Sequence, residues 1–173
     1  MSGTEIQPHP LTVRPIGAVN WLGFWTLYSK EVRRFLKVWG QTIFAPMVTM
    51  LLFLAIFTLA LGGAVRTVGD VPFVNFLAPG LIMMAVVQNS FANTSSSLVI
   101  SKMQGNIVDL LYPPLSALEV TVAMLCGGIT RGLVVGFFSV MVSIIFIHVP
   151  IHSLIFILIY GILGSSLLAS LGF

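Results

Sequence analysis

The stretch QNSFANTSSS, residues 88–97, carries eight polar side chains in ten positions. It stands between the apolar runs LIMMAVV and LVI, in a chain that is 57% hydrophobic and 8% charged. Amide and hydroxyl groups cannot be satisfied by lipid, but neighbouring helices or a hydrated cavity can satisfy them. On a helix they fall into two adjacent stripes with a flank. The stripes are Asn89, Asn93, Ser96 and Ser90, Thr94, Ser97, and the flank is Gln88 with Ser95.

Two interpretations of this polar surface remain open. Single polar residues join transmembrane helices through hydrogen bonds that contribute about 0.6 kcal/mol each. One or two polar residues are enough to join two helices in this way. A set of eight therefore favours a hydrated passage or the seam of a dimer. The residues assigned to such a passage or seam are Gln88, Asn89, Asn93, Thr94, Ser96 and Ser97.

Two other groupings resemble catalytic or metal sites. Ser165 and Ser166 lie in an apolar segment, as the nucleophile of an intramembrane serine protease would. However, no glycine follows either serine, and small residues in transmembrane helices usually pack against other helices. His148 and His152 in HVPIH are four residues apart and suggest a pair of metal ligands. Pro150 between them and the lack of a third ligand favour a turn at the membrane surface. The sequence therefore predicts neither a catalytic residue nor a metal site.

The composition predicts an integral membrane protein. Soluble domains carry about 25% charged residues, so a chain at 8% has too few charges to cover a water-facing surface. A net charge of +3 makes nucleic-acid binding one function to consider. However, five of the eight Lys and Arg residues precede residue 41, where membrane proteins keep cytoplasmic positive charge. Membrane topology explains the basicity, and no nucleic-acid partner is expected.

Apolar segments of about 20 residues, enough to cross a bilayer, predict four transmembrane helices. Their expected ranges are 41–62, 76–100, 117–147 and 153–173. No cleavable signal precedes them, and residues 1–19 form a tail expected in the cytoplasm. The chain stops in an apolar run without a basic or polar flank. We therefore expect a C-terminally incomplete sequence, with a natural four-span protein as the alternative.

Residues 20–39 have the pattern of an amphipathic helix at the membrane surface. One predicted face carries the apolar and aromatic residues, and the opposite face carries the cations. The first set is Trp21, Trp25, Tyr28, Val32, Phe35, Leu36 and Trp39, and the second is Lys30, Arg33, Arg34 and Lys37. Such a helix lies in the headgroup plane, in contact with membrane lipid.

The loop between the second and third spans contains a predicted short helix. Asn106 can cap the segment IVDLLY, and Pro113 with Pro114 ends it. Ser116 and Glu119 then form an S-x-x-E capping box that starts the third span. A short, rigid helix on the cytoplasmic face suits contact with a cytoplasmic partner.

The third span combines a small-residue surface with one charge. Gly128, Gly132 and Gly136 form GxxxGxxxG, which permits close approach of another helix. Arg131 lies beside them. Because 31 residues of helix extend about 46 Å, Arg131 can reach the inner interface, and a buried functional pairing is the open alternative.

These segments resemble the membrane subunits of ABC-2 type transporters, the permeases of bacterial exporters of drugs, lipids and polysaccharides. The resemblance rests on APG at residues 78–80, on QNSFANTSSS and on the double-proline loop, and extends loosely to GGITRGLVVG. It implies an all-α polytopic membrane protein in which an interfacial helix precedes six spans, here the first four, at 41–173.

The resemblance also implies partners and a role for the loop. Two permeases pair with two ATPase subunits, and a homodimer is expected in the bacterial cytoplasmic membrane. The sequence has no GxxxxGK[ST] motif, so the chain would bind no cofactor, and ATP with Mg²⁺ would be held by the partner. A non-transporting scaffold or receptor is the alternative. The expected ATPase-coupling loop comprises Gly105, Asn106, Ile107, Asp109, Leu110, Leu111, Tyr112, Pro113 and Pro114.

Overall fold

The computed structural model describes residues 19–61, 67–108, 112–147 and 154–173. The other residues include most of the N-terminal tail, Arg66, the histidines of HVPIH, and Asp109, Leu110 and Leu111 of the predicted coupling loop. Predictions that concern them lie outside the described residues. Within the described ranges the chain is almost entirely helical, which confirms the predicted all-α membrane fold.

Five helices and a small hairpin make up the described structure. The helices are α1 (Trp21–Lys37), α2 (Trp39–Leu61), α3 (Phe73–Met103), α4 (Ala117–Ile147) and α5 (Leu154–Leu171). Between α2 and α3, strands β1 (Thr67–Val68) and β2 (Val71–Pro72) pair antiparallel. Gly69 in the connecting turn has φ of +61°, a left-handed conformation that glycine adopts without steric cost.

The four predicted spans coincide with α2 to α5 within three residues at each end. Helices α2, α3 and α4 are long and apolar enough to cross a membrane, whereas the apolar α5 is shorter, at 18 residues. Both α2 and α3 contain an internal proline, Pro46 and Pro79. The length of apolar sequence thus located the helices, because a bilayer requires about 20 residues per crossing.

Helix α3 lies at the centre of the bundle and packs most extensively against α4 and α5, and also against α2. Small side chains such as Ala78 and Ala85 on α3 are buried, so the backbones of its neighbours can approach closely. Helix α2 is the most exposed of the three long helices. Its apolar outer face suits contact with lipid or with another membrane helix.

Helix α1 packs along α4 through residues spaced four apart, Leu27, Glu31 and Phe35, which are all buried. Trp21 and Trp25 remain 71% and 63% exposed. The predicted assignment of faces was therefore wrong for Phe35, which turns into the bundle, and for Arg34, which contacts α3. A helix that packs against a bundle needs an inner face as well as its exposed faces.

Candidate functional site

The polar stretch on α3 divides between two different environments. Ser90, Asn93 and Thr94 have no exposed surface, and Ser97 retains 5%. By contrast, the side chains of Gln88, Asn89 and Ser96 line a cavity beside α3. One face of the polar stretch thus packs inside the chain, and the other borders open space.

Hydrogen bonds join the inner face of α3 to an ion pair within α1, formed by Glu31 and Arg34. Arg34 Nη2 donates to Glu31 Oε2 at 2.9 Å and to the carbonyl oxygen of Asn93 at 2.7 Å. Ser97 Oγ donates to Glu31 Oε1 at 2.7 Å. Glu31 is 2% exposed, and the Arg34 side chain 28%. We call Glu31, Arg34, Asn93 and Ser97 the anchor cluster, because it fixes α1 to the centre of the bundle.

Gly127 of α4 makes room for the anchor cluster. A Cβ atom at this position would lie 2.8 Å from Glu31 Cβ and 3.6 Å from Asn93 Nδ2. The absent side chain therefore lets α1, α3 and α4 meet at one point. The predicted glycine motif did not include this residue, although it immediately precedes Gly128 in the sequence.

The three glycines of the predicted motif lie against α3 along its inner face. A Cβ at Gly128 would lie 3.0 Å from Thr94 Cγ2, and a Cβ at Gly136 would lie 2.6 Å from Val86 Cγ2. At Gly132 it would collide with Ser90 Oγ and lie 2.9 Å from the carbonyl oxygen of Val86. The motif thus forms a helix contact within this chain.

A cavity of about 850 Å³ opens between α2, α3 and α4. Polar side chains border one part of it, including Gln41, Gln88, Asn89 and Ser96. Apolar side chains border another part, including Met50, Phe53, Leu81 and Met84. Its volume lies within the range of about 300–1,000 Å³ that small-molecule sites occupy. An amphipathic molecule would match this lining.

Arg131 projects into the same cavity from the middle of α4. Its Nη2 lies 3.4 Å from Asn89 Oδ1, a long hydrogen bond, and its Nε is buried without a partner among the described residues. The Arg131 side chain is thus half-buried, with Asn89 as its hydrogen-bond partner among the described residues.

The loop after α3 begins with a glycine that ends the helix. Gly105 has φ of +72°, and its N–H donates to the carbonyl oxygen of Lys102, as is common where a helix ends. Ile107 and Val108 are helical, and Tyr112 N donates to the carbonyl oxygen of Val108 at 2.8 Å. These contacts are consistent with the predicted short helix at the described ends of the segment.

The exit of this loop is held by Glu119 at the start of α4. Its Oε2 accepts a hydrogen bond from Ser116 N at 2.7 Å, and Ser116 Oγ accepts one from Glu119 N at 3.2 Å, so the predicted capping box is present. Glu119 Oε1 also accepts from Asn20 N at 2.6 Å. Asn20 Nδ2 donates to the carbonyl oxygen of Pro114 at 3.3 Å. One carboxylate thus joins the starts of α1 and α4.

We expect Glu119→Ala to lower the thermal unfolding midpoint more than Ser116→Ala does. The serine variant removes one half of the capping box, whereas the alanine at 119 also frees the N–H of Asn20. Unfolding of the purified protein, followed by helical circular dichroism, measures both variants. Equal midpoints would mean that the contact with Asn20 contributes nothing.

Comparison with known proteins assigns the family. Residues 23–173 match the ABC-2 type transporter family. The chain belongs to the ABC-2 type transporter family. Over 152 residues it is 33% identical to the "Inner membrane transport permease YadH" of Escherichia coli K12 and to the protein of the same name in Shigella flexneri. The match covers 88% of this chain and 59% of either relative. No solved structure matches significantly.

Three residues that position the site in this ABC-2 chain were missed from the sequence: Glu31, Asn20 and Gly127. Glu31 gave the clearest signal, since Leu27, Glu31 and Phe35 follow one another at four-residue spacing and mark a single helix face. Asn20 is a residue type preferred at helix N-caps, and its Oδ1 accepts from Gly23 N at 3.0 Å.

Proposed function

We propose that this chain is the permease subunit of an ATP-driven ABC-2 type exporter, forming the membrane pathway and coupling to a separate ATPase subunit. Family membership supports the proposal, as does the likeness to an inner membrane transport permease. The chain spans 59% of the length of that relative. The ATPase would hold ATP and Mg²⁺, and this chain would bind no cofactor.

The observation that carries the proposal is the loop between α3 and α4. Apolar side chains are exposed there: Met103, the last residue of α3, is 81% exposed, and in the loop itself Val108 is 58% and Tyr112 87% exposed. The same loop is fixed at its exit, because Pro114 accepts a hydrogen bond from Asn20 and Glu119 joins α1 to α4. An exposed apolar surface on a stiff connection suits a partner whose movement must reach the membrane helices.

The anchor cluster would extend this connection into the bundle. A displacement of the loop would move the start of α1 through Asn20 and Glu119. Helix α1 would in turn act on α3 through Glu31, Arg34 and Asn93, next to the face that lines the cavity. A pathway along Gln88, Asn89 and Ser96 would therefore respond to the ATPase through contacts within one chain.

A second permease copy would complete the pathway, as the family resemblance implies. The exposed apolar surfaces of α2 and α5 suit either that copy or lipid. The N-terminus and the loop after α3 would face the cytoplasm, because Lys30, Arg33, Lys37 and Lys102 lie on that side. The protein would reside in the bacterial cytoplasmic membrane.

We expect Tyr112→Ala to weaken binding of the ATPase subunit about thirtyfold or more. An exposed aromatic ring at the centre of a contact is a common source of binding free energy, and truncating it costs about 2 kcal/mol or more. The control is Tyr160→Ala, which removes the same ring from α5, where it is 62% exposed. Co-purification and titration of the ATPase onto the permease in lipid nanodiscs measure both.

The same experiment separates an exporter from a scaffold or receptor. An exporter should retain its ATPase through purification, and vesicles that contain both subunits should move substrate only with ATP. Correctly inserted Tyr112→Ala protein that binds the ATPase normally and transports normally would exclude the loop from coupling. Failure of any ATPase to associate with the wild-type protein would favour the scaffold.

A further inference from the structure

We propose that the cavity between α2, α3 and α4 binds a membrane amphiphile with an anionic head group, and that Arg131 holds the anion. The inference rests on the proposed export function, because it names the class of molecule that the cavity would pass on. Four observations lead to it: the position of Arg131, its unused hydrogen-bond donors, the charge of the lining, and the arrangement of polar and apolar side chains.

Arg131 lacks a counter-ion within the part of the chain that the structure describes. The ion pair found there joins Arg34 to Glu31 within α1 and belongs to the anchor cluster. Arg131 donates to Asn89 Oδ1 at 3.4 Å, and its buried Nε has no partner. A guanidinium carries five N–H donors, so most of its donor capacity is unused. A cation kept in this state inside a membrane protein indicates an anionic ligand.

The residues around the cavity set the sign and the shape of that ligand. None of the described side chains that line it is a carboxylate, and Arg131 is the only lining side chain among them with a full charge. Guanidinium groups pair with phosphate and carboxylate through two parallel hydrogen bonds. Asn89, beside Arg131, offers a further amide for the same head group.

The arrangement of the lining favours an amphiphile over a free anion. Helices α2 and α3 follow each other through a short hairpin and run in opposite directions. The polar side chains Gln41 and Ser96 therefore belong to the end far from the hairpin, whereas Phe53 and Leu81 belong to the end near it. Arg131 projects from the middle of α4, between the two parts. A ligand with a charged head and an apolar tail satisfies both.

The anion site is distinct from the anchor cluster in the contacts it makes. Glu31, Asn93 and Ser97 are buried in contacts between helices and do not line the cavity. Arg34 is bound to Glu31 and Asn93, and its Nη1 also donates a long hydrogen bond of 3.4 Å to Oγ of Ser96, at the edge of the cavity. Arg131 makes its hydrogen bond to Asn89 and none to the anchor cluster among the described residues, so a substitution at Arg131 removes no hydrogen bond of that cluster and the two roles can be tested separately.

The test is binding of dodecyl phosphate to the permease alone, measured by native mass spectrometry in dodecyl maltoside. The neutral detergent has the same tail and competes for every apolar surface. We expect wild-type protein to retain dodecyl phosphate over dodecyltrimethylammonium. Arg131→Gln should weaken dodecyl phosphate binding about tenfold to a hundredfold, the effect of losing hydrogen bonds to a charged group. Arg33→Gln, which removes an exposed cation from α1, should have no effect.

A second variant keeps the proposal testable if Arg131→Gln does not fold. Ala92 lines the cavity, so Ala92→Phe should fill it and displace dodecyl phosphate while leaving the guanidinium in place. Equal affinity for the anionic and cationic probes would overturn the proposal, as would equal losses in Arg33→Gln and Arg131→Gln. If inorganic phosphate binds as tightly as dodecyl phosphate, the apolar tail contributes nothing to binding. The cavity would then be a site for anions in general, and the proposal of an amphiphilic ligand would be overturned.

Failure here and failure of the proposed function have different signatures. Binding is measured without the ATPase, so a permease that binds dodecyl phosphate selectively yet never associates with an ATPase would support the site and contradict the exporter. ATP-dependent transport of another substrate, by a protein that shows no selectivity for dodecyl phosphate, would support the exporter and overturn the site.

Discussion

Gly132→Leu should prevent the bundle from folding. A Cβ at this position meets Ser90 Oγ and lies 2.9 Å from the carbonyl oxygen of Val86. The first neighbour is a small side chain that can rotate, but the second is backbone in the middle of α3 and cannot yield without moving the helix. Overpacking of a core by methylene groups typically costs about 1–3 kcal/mol, and leucine adds three carbons beyond the Cβ. We expect little folded protein in the membrane fraction.

Graded variants separate a steric effect from a change in helix propensity. Gly132→Ala should destabilise the protein by about 1–3 kcal/mol. Adding Ser90→Ala should recover part of that loss, because it removes one of the two colliding atoms. The matched control is Gly80→Ala in α3, where a Cβ has nothing within 4 Å. Alanine there should stabilise the helix by about 0.5–1 kcal/mol.

The free energy of unfolding is measured in mixed micelles with increasing amounts of denaturing detergent. The wild-type protein is compared with Gly132→Ala, with Gly132→Ala/Ser90→Ala and with Gly80→Ala. The steric explanation requires opposite signs for Gly132→Ala and Gly80→Ala. If both glycine variants stabilise the protein equally, the close contact between α3 and α4 does not exist in the membrane, and the glycine motif is available for another helix.

The helices and their ends could be predicted because local rules determine them. A bilayer fixes the length of an apolar crossing, so the four predicted ranges end within three residues of the observed ends of α2 to α5. The capping box at Ser116 and Glu119 needs only residues three apart in the sequence, and it is present. Spacing alone also placed Gly128, Gly132 and Gly136 on one face of α4.

The neighbours of each face could not be predicted, because they depend on contacts between residues far apart in the chain. Helical periodicity identified the polar side chains of α3, but it could not show that Asn93 and Ser97 meet α1 while Asn89 borders a cavity. Ser97 and Glu31 are 66 residues apart. A charged residue on an amphipathic helix is normally interpreted as solvent-facing, so Glu31 was overlooked.

The anchor cluster provides the second large expected effect. Glu31→Leu should destabilise the protein by about 3 kcal/mol, because it leaves the partly buried guanidinium of Arg34 without its carboxylate and removes the acceptor of Ser97 Oγ. Lys30→Leu is the matched control, since it replaces the exposed neighbouring charge. That control should change stability by about 0.5 kcal/mol or less.

A double variant distinguishes the ion pair from simple packing. Replacing both Glu31 and Arg34 by leucine removes two charges together, and buried pairs replaced by apolar residues of similar size are often neutral in stability. We therefore expect Glu31→Leu/Arg34→Leu to be more stable than either single variant. Stability that falls further in the double variant would mean that the two residues act independently, and that no coupled pair fixes α1.

The double variant also tests whether the anchor cluster has a mechanical role. Its protein should fold and bind the ATPase, because the loop around Tyr112 and the contact between Asn20 and Glu119 are unchanged. Leucine side chains can still pack, but they cannot hold the carbonyl oxygen of Asn93 as Arg34 does at 2.7 Å. If α1 transmits motion to α3, ATP hydrolysis should continue in reconstituted vesicles while transport per ATP falls. Unchanged transport per ATP would restrict the cluster to holding α1 in place.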